Sequence, residues 1–132
     1  MLIILFLSDL FTPFTDYGTI TRYQSRMKTL EMKEEIQKII ESNNIVLFMK
    51  GTPQRPECGF SGAVVQVLKL YDVEYHSENM NKDTMMKEAL KEYSDWPTIP
   101  QLYVNGKFIG GSDIVLNYHK NHEFQDVLDG KL

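Results

Sequence analysis

The sequence predicts an α/β fold in which helices flank a mixed four-stranded sheet. Residues 45–49 (IVLFM) form a short, unbroken apolar run, which is typical of a strand buried on both faces. Asn105 and Gly106 separate two further strand-like runs, and this dipeptide favours the type I′ turn of an antiparallel hairpin. Apolar residues recur at helical spacing between and around these strands. Because a helix separates the first two strands, we expect them to be parallel, with a right-handed crossover.

The predicted elements follow one another as helix, strand, helix, strand, helix, strand, strand, helix. Thr29 is the expected N-cap of the first helix, and the polar residues 42–44 end it. Asp83 is the expected cap of the third helix, and Ser112 with Asp113 is the expected N-cap pair of the last one. The second predicted helix has an apolar stripe formed by Phe60, Val64, Val67, Leu68 and Tyr71. The remaining predicted strands cover residues 73–77, 101–104 and 107–109.

Composition excludes several classes of function. The 132 residues suffice for one domain with a hydrophobic core, and 42% hydrophobic with 24% charged residues is ordinary for a globular protein. The net charge is −4 and no basic block occurs, so nucleic acid is not an expected partner. No apolar run reaches the roughly 18 residues that span a bilayer, so we expect no membrane partner either.

The first 28 residues differ from the rest of the chain. Residues 1–7 are apolar but too short to span a membrane, and residues 19–28 carry three basic residues and no acid, as in a transit peptide. Asp9 and Asp16 depart from that pattern. We therefore predict that residues 1–28 are a cleaved presequence or a disordered extension, and that residues 29–132 form the folded domain. A start-site error, with translation beginning at Met27 or Met32, is the alternative.

Cys58 is the candidate reactive residue, because it is the only cysteine. It lies between the first strand and the second helix, where unpaired N–H groups and the helix dipole favour the thiolate. A thiolate at neutral pH can act as a nucleophile or as a metal ligand. The alternative is that Cys58 is only a small buried hydrophobic residue. A cysteine at this point in this order of elements is the arrangement of the thioredoxin-like fold.

Four motifs in this order make the sequence resemble the single-domain monothiol glutaredoxins, and most closely the mitochondrial type related to glutaredoxin 5. The likeness covers residues 31–128. The motifs are KGTP at residues 50–53, CGFS at 58–61, WPTIP at 96–100 and GGSD at 110–113.

The resemblance implies a role for each matching residue. Cys58 would be the reactive or cluster-ligating sulfur, and the Ile99–Pro100 bond would be cis. Lys87 stands where an arginine is common, and Ser112 where some relatives have a second cysteine. The residues implied to hold glutathione are Lys50, Lys87, Ile99, Ser112 and Asp113.

The chemistry of these residues suits glutathione, which carries two carboxylates and one ammonium. Lys50 and Lys87 can meet one carboxylate, the N–H groups that open the last helix suit the other, and Asp113 can accept from the ammonium. The main chain beside Pro100 can pair with the tripeptide backbone. Taken singly, the two lysines would be ordinary solvated side chains, and Ser112 with Asp113 an ordinary helix cap.

Two functions compete. Ser61 replaces the second cysteine of a C-x-x-C motif, so disulfide reduction would require glutathione to resolve the adduct on Cys58. Alternatively, a 2Fe–2S cluster needs four thiolates, of which a homodimer supplies two and two glutathione molecules the rest. Cluster transfer to apo iron–sulfur proteins is the predicted main function, and any oxidoreductase activity is expected to be weak.

The predicted partners follow from cluster transfer. They are glutathione, apo iron–sulfur proteins, cluster-assembly factors and, when the cluster is bound, a second copy of the chain. The predicted location is the mitochondrion, with another organelle or the cytoplasm as the alternative. The sequence leaves open which apo-proteins receive the cluster and where the monomer–dimer balance lies.

Overall fold

A mixed four-stranded sheet organises the chain, with its strands in the order β2–β1–β3–β4. The computed structural model describes residues 17–132. The strands are β1 (Ile45–Met49), β2 (His76–Asn79), β3 (Gln101–Val104) and β4 (Lys107–Gly110). The helices are α1 (Tyr17–Ser42), α2 (Gly59–Leu70), α3 (Thr84–Ser94), α4 (Ser112–Lys120) and α5 (Phe124–Leu128). In the part of the chain that the structure describes, no helix is long and apolar enough to cross a bilayer.

β1 lies inside the sheet and is buried along its whole length. It pairs in parallel with β2 and antiparallel with β3, and β3 pairs antiparallel with β4. Asn105 and Gly106 join β3 to β4 with φ values of 51° and 82°, the positive values that a type I′ turn requires. The predicted buried strand, parallel pair and hairpin are therefore confirmed.

Two hydrophobic clusters cover the two faces of the sheet. Because side chains alternate along a strand, Leu47 and Met49 belong to one cluster and Val46 and Phe48 to the other. The first cluster packs the sheet against α2, α4 and α5, and the second packs it against α1 and α3. Burial of each large apolar side chain contributes roughly 1.5–3 kcal/mol, so these clusters are the main stabilising feature. The predicted layered α/β architecture is confirmed.

Helix α1 begins earlier than the sequence predicts. It starts at Tyr17, and Thr29 lies inside it with its hydroxyl donating to the Ser25 carbonyl at 3.0 Å, so Thr29 is not a cap. The earlier part escaped prediction because apolar residues in it, Tyr23 and Met27 among them, are exposed and out of phase with those that pack on the sheet. The predicted extension is thus helical from residue 17, while residues 1–16 lie outside the described residues.

Strand β2 lies further along the chain than the predicted strand 73–77. Parallel pairing with β1 sets its position, because Val46 pairs with His76 and Met49 pairs with Asn79. The register of a strand depends on its neighbour, and the alternating pattern of residues 73–77 contains no information about that neighbour.

Three smaller details complete the comparison with the prediction. Asp83 caps α3 as predicted, and one of its carboxylate oxygens accepts from the N–H groups of Met85 and Met86 at 3.0 and 3.2 Å. Phe60 is 64% exposed, so it is wrongly assigned to the apolar stripe of α2. The N-cap of α4 is Gly111, so Ser112 and Asp113 begin the helix itself and are not its caps.

Candidate functional site

One edge of the sheet brings the predicted site residues together. At this edge β1, β2 and β4 end and β3 begins, because β1 is parallel to β2 and antiparallel to β3, which is antiparallel to β4. The register pairs that define the edge are Met49 with Asn79, Phe48 with Gln101, and Leu102 with Gly110.

All six predicted residues lie on segments that meet this edge. Lys87 is in the first turn of α3, which begins shortly after β2 ends. Lys50 and Cys58 lie in the connection after β1, and Ile99 lies in the connection before β3. Ser112 and Asp113 begin α4, which follows β4 there.

Cys58 is the half-buried N-cap of α2, in an extended conformation with φ −154° and ψ 137°. Hydrogen bonding from the backbone N–H of Ser61 is the largest influence on the thiol and holds its pKa below the usual range. Burial acts in the opposite direction, whereas the N–H of Phe60, the charge of Lys50 and the Ser61 hydroxyl lower the pKa further. The start of the helix therefore favours the thiolate, as its position in the sequence indicates.

Ser61 connects the thiol to the preceding strand. Its side chain is fully buried, and its hydroxyl oxygen accepts from the backbone N–H of Lys50 at 3.0 Å. The same hydroxyl also lowers the pKa of the Cys58 thiol. Ser61 thus takes the place of a second thiol and also fixes Lys50 beside Cys58.

The segment between β1 and Cys58, residues 50–57, is a closed loop. The N–H of Glu57 donates to the Lys50 carbonyl at 2.9 Å, so the two ends of the loop are adjacent. Gly51 has φ +88°, and a Cβ atom there would lie 2.5 Å from the Arg55 carbonyl oxygen. The loop therefore requires glycine at this position.

The segment before β3, residues 96–100, is held in a different way. The Ile99–Pro100 bond is cis, as the resemblance implies. Gln101 is fully buried, and its amide donates to the carbonyls of Trp96 and Thr98 at 3.3 and 3.2 Å. Ile99 is only 5% exposed and belongs to the second hydrophobic cluster, so it anchors this segment in the core.

The segments 96–100 and 110–113 pack directly on each other. A Cβ atom at Gly111 would lie 3.3 Å from the Pro100 carbonyl oxygen and 3.4 Å from the indole nitrogen of Trp96. Ser112 is nearly buried behind this contact, whereas Asp113 is exposed in the first turn of α4. The N-terminus of α4 is thereby fixed beside the main chain of Ile99 and Pro100.

Comparison with known proteins identifies the family. Residues 45–109 match the glutaredoxin family model. The mitochondrial monothiol glutaredoxin-5 of Saccharomyces cerevisiae is 43% identical over 123 residues, which cover 90% of this chain and 82% of the yeast protein. The chain belongs to the monothiol glutaredoxins. A probable monothiol glutaredoxin 2 of Rickettsia typhi is 50% identical over 93 residues, 70% of this chain and 84% of that protein.

Solved glutaredoxin structures share the fold. The solution structure of reduced poplar apo GrxS14 is 43% identical with a TM-score of 0.67, and the match covers 75% of this chain and 91% of the poplar chain. The thioredoxin-like glutaredoxin fold and the family resemblance drawn from the four motifs are therefore both confirmed.

Two residues of this monothiol glutaredoxin site were not predicted from its sequence. Gln101 gave a weak signal, since it is a polar residue at the start of a strand whose other residues are apolar. Asn79 has no signal in the sequence, because its role depends on β2 ending beside Gly51. The predicted strand, residues 73–77, ends before Asn79. The side chain of Asn79 accepts from the N–H of Gly51 at 2.9 Å.

Proposed function

We propose that this monothiol glutaredoxin binds a 2Fe–2S cluster in a glutathione-bridged homodimer and transfers the cluster to apo-proteins. The observation that supports this most strongly is the pairing of Cys58 with Ser61. Each chain presents one thiol with a lowered pKa, and a buried hydroxyl occupies the position from which a second thiol would resolve a disulfide.

The count of ligands supports a dimer with two glutathione molecules. A 2Fe–2S cluster takes four thiolates, and one chain contains a single cysteine. Two copies of Cys58 leave two coordination positions, which the thiolates of two glutathione molecules can fill. The cluster is the group that is transferred. Because glutathione can dissociate, such a cluster should transfer more readily than one held by four protein thiolates.

Charge and main-chain geometry support a glutathione site along the sheet edge. Lys50 and Lys87 are half-exposed cations suited to a carboxylate of the tripeptide. Asp113 and the N–H groups that open α4 suit the ammonium and the second carboxylate. The main chain of Ile99 can add the tripeptide backbone as an extra strand. Ser112, buried under this surface, would orient the first turn of α4.

Anaerobic reconstitution with ferrous iron, sulfide and glutathione tests the cluster proposal. We expect a visible chromophore that requires glutathione and elutes with a dimer, and we expect Cys58→Ser to lose both. A colourless monomer in the presence of all three components would contradict the proposal.

A paired substitution tests the glutathione site. Lys87→Gln should raise the glutathione concentration needed for half-maximal chromophore formation about threefold to fivefold, since a partly exposed ion pair contributes up to ~1 kcal/mol. Lys82→Gln removes an exposed lysine that precedes the same helix and should leave this glutathione concentration unchanged. Equal effects of the two variants would contradict a specific role for Lys87.

Glutathione-dependent oxidoreduction is the second candidate function, and the lowered pKa of the Cys58 thiol favours it. The Cys58 thiolate would attack a glutathione mixed disulfide, forming a Cys58–glutathione disulfide and releasing the substrate thiolate. The thiolate of a second glutathione would then attack that adduct, giving oxidised glutathione and restoring the Cys58 thiolate. Turnover of such a disulfide by the cluster-free monomer is the assay, and we expect it to be slow.

The proposed partners are apo iron–sulfur proteins and cluster-assembly factors, and the proposed location is the mitochondrion. Relatives at 43–50% identity include mitochondrial proteins of two yeasts, a chloroplastic protein of Arabidopsis thaliana and bacterial proteins. We propose that residues 1–28 are a presequence or an extension outside the domain. Import of a reporter fused to residues 1–28 into isolated mitochondria, with cleavage, supports a presequence, and failure of import contradicts the location.

A further inference from the structure

The turn that follows β2 contacts the beginning of the loop 50–57. The side-chain oxygen of Asn79 accepts two backbone hydrogen bonds, one from Gly51 and one from Asn81, each at 2.9 Å. The bond to Asn81 stabilises the turn locally and fixes the side chain of Asn79. The bond to Gly51 connects residues 28 positions apart, so it ties the loop to the end of β2.

The same turn also contacts the end of the loop. The side-chain amide of Asn81 donates to a carboxylate oxygen of Glu57 at 2.7 Å. Glu57 immediately precedes Cys58, and its own N–H donates to the Lys50 carbonyl at 2.9 Å. The turn 79–81 therefore holds the loop at both of its ends, one beside Lys50 and the other beside Cys58.

Two successive backbone N–H groups in this loop are fixed by side chains from different elements. The N–H of Lys50 donates to Ser61 of α2, and the N–H of Gly51 donates to Asn79 of β2. The peptide between them leads directly into the left-handed conformation of Gly51, at φ +88°. The backbone from which the Lys50 side chain projects is thus restrained on both sides, and its carbonyl accepts from the N–H of Glu57, the residue next to Cys58.

We propose that Asn79 and Asn81 are positioning residues that clamp the two ends of the loop 50–57 and so hold Lys50 at its place beside Cys58. Neither asparagine has to touch a ligand for this purpose. The inference builds on the proposed use of Cys58 but is the same for a cluster carrier and for an oxidoreductase.

The alkylation rate of Cys58 by iodoacetamide, measured against pH, tests the clamp without iron or glutathione. Because Cys58 is the only cysteine, the rate reports on one thiol. Asn79→Ala should raise the thiol pKa, so that the alkylation rate near neutral pH falls about threefold. Asn81→Ala should act in the same direction with a smaller effect, because the Asn81 side chain is exposed.

A matched control separates the clamp from a general loss of stability. Asn43→Ala removes another asparagine hydrogen bond of 2.9 Å, to the Ile39 carbonyl at the end of α1. This variant should leave the thiol pKa unchanged, and circular dichroism of each variant verifies folding. If Asn79→Ala does not fold, Asn81→Ala alone tests the clamp, because the exposed side chain of Asn81 can be removed without disturbing the core.

A double-mutant cycle with Lys50→Gln identifies the route of the effect. If Asn79 acts by positioning Lys50, the pKa change caused by Asn79→Ala should be at least halved when Lys50 is already replaced. An unchanged thiol pKa in folded Asn79→Ala and Asn81→Ala would overturn the clamp, and so would an equal change with and without Lys50. A failed cluster reconstitution would leave these alkylation results intact, so failure of the clamp and failure of the proposed function are distinguishable.

Discussion

The two loops at the site, residues 50–57 and residues 96–100, are fixed by opposite means. The first is held by polar side chains from α2 and from the turn after β2, and most of its own residues are half-buried or exposed. The second is held by the buried amide of Gln101 and by packing of Trp96 edge-on against Phe108, with ring centroids 5.4 Å apart. Loss of a polar contact at the first loop should alter the thiol, whereas loss of a polar contact at the second should destabilise the fold.

The largest expected effect is steric and falls on the first loop. Gly51→Ala would place a Cβ atom 2.5 Å from the Arg55 carbonyl oxygen at φ +88°, so we expect a loss of roughly 3 kcal/mol or more in unfolding free energy. Gly106→Ala is the control, because φ is +82° but no atom lies within 4 Å, and about 1 kcal/mol is expected. Denaturant unfolding of both variants measures the difference, and equal losses would show that the close contact is unimportant.

The next effect concerns the second loop. Gln101→Leu would leave the carbonyls of Trp96 and Thr98 and the hydroxyl of Tyr103 without their partner, so we expect a loss of about 2–3 kcal/mol in unfolding free energy. The thiol pKa of the folded variant should not change. Gln66 lies on the exposed side of α2, so the unfolding free energy of Gln66→Leu should stay within ~0.5 kcal/mol of the parent value. A changed alkylation profile in folded Gln101→Leu would contradict the separation between the two loops.

A third prediction concerns the residue that joins the first loop to the thiol. Ser61→Cys should raise glutathione-dependent disulfide reductase activity severalfold, because a second thiol could then resolve the adduct on Cys58. It should also cost about 1 kcal/mol of stability, since sulfur is a weak acceptor for the N–H of Lys50. Ser61→Ala loses the same acceptor without adding a thiol, so its reductase activity should not rise. A flat reductase rate in Ser61→Cys would mean that the missing second thiol does not limit this chemistry.

The smallest expected effect is the pH dependence of stability that arises from Cys58. Its thiol pKa is lower in the folded state than in the unfolded chain, chiefly through the N–H of Ser61. The stabilisation is therefore fully present above the unfolded-state pKa, and it is lost as the pH falls through the folded-state pKa. The difference in unfolding free energy between the parent and Cys58→Ser should grow as the pH rises through this window. A difference that shrinks with rising pH would contradict the lowered pKa.

Local patterns were sufficient for the elements whose form depends on their own residues. The apolar run of β1, the Asn105–Gly106 turn and the Asp83 cap are each determined by a few neighbouring side chains and backbone preferences, and the structure contains all three. The order of elements and the position of Cys58 at a helix start followed from the same local information, and so did the fold class.

Features that depend on contacts between distant segments were decided only by the tertiary structure. The register of β2 is set by β1, and only that register brings Asn79 to Gly51. The amide of Gln101 donates to the carbonyls of Trp96 and Thr98 because the preceding segment folds back over it. Hydrogen bonds between segments far apart in the chain leave no periodic signal in either segment. The sequence by itself determined the buried strand, the hairpin turn, the Asp83 cap and the place of the thiol, whereas the assembled sheet edge determined which polar side chains hold the two loops around that thiol.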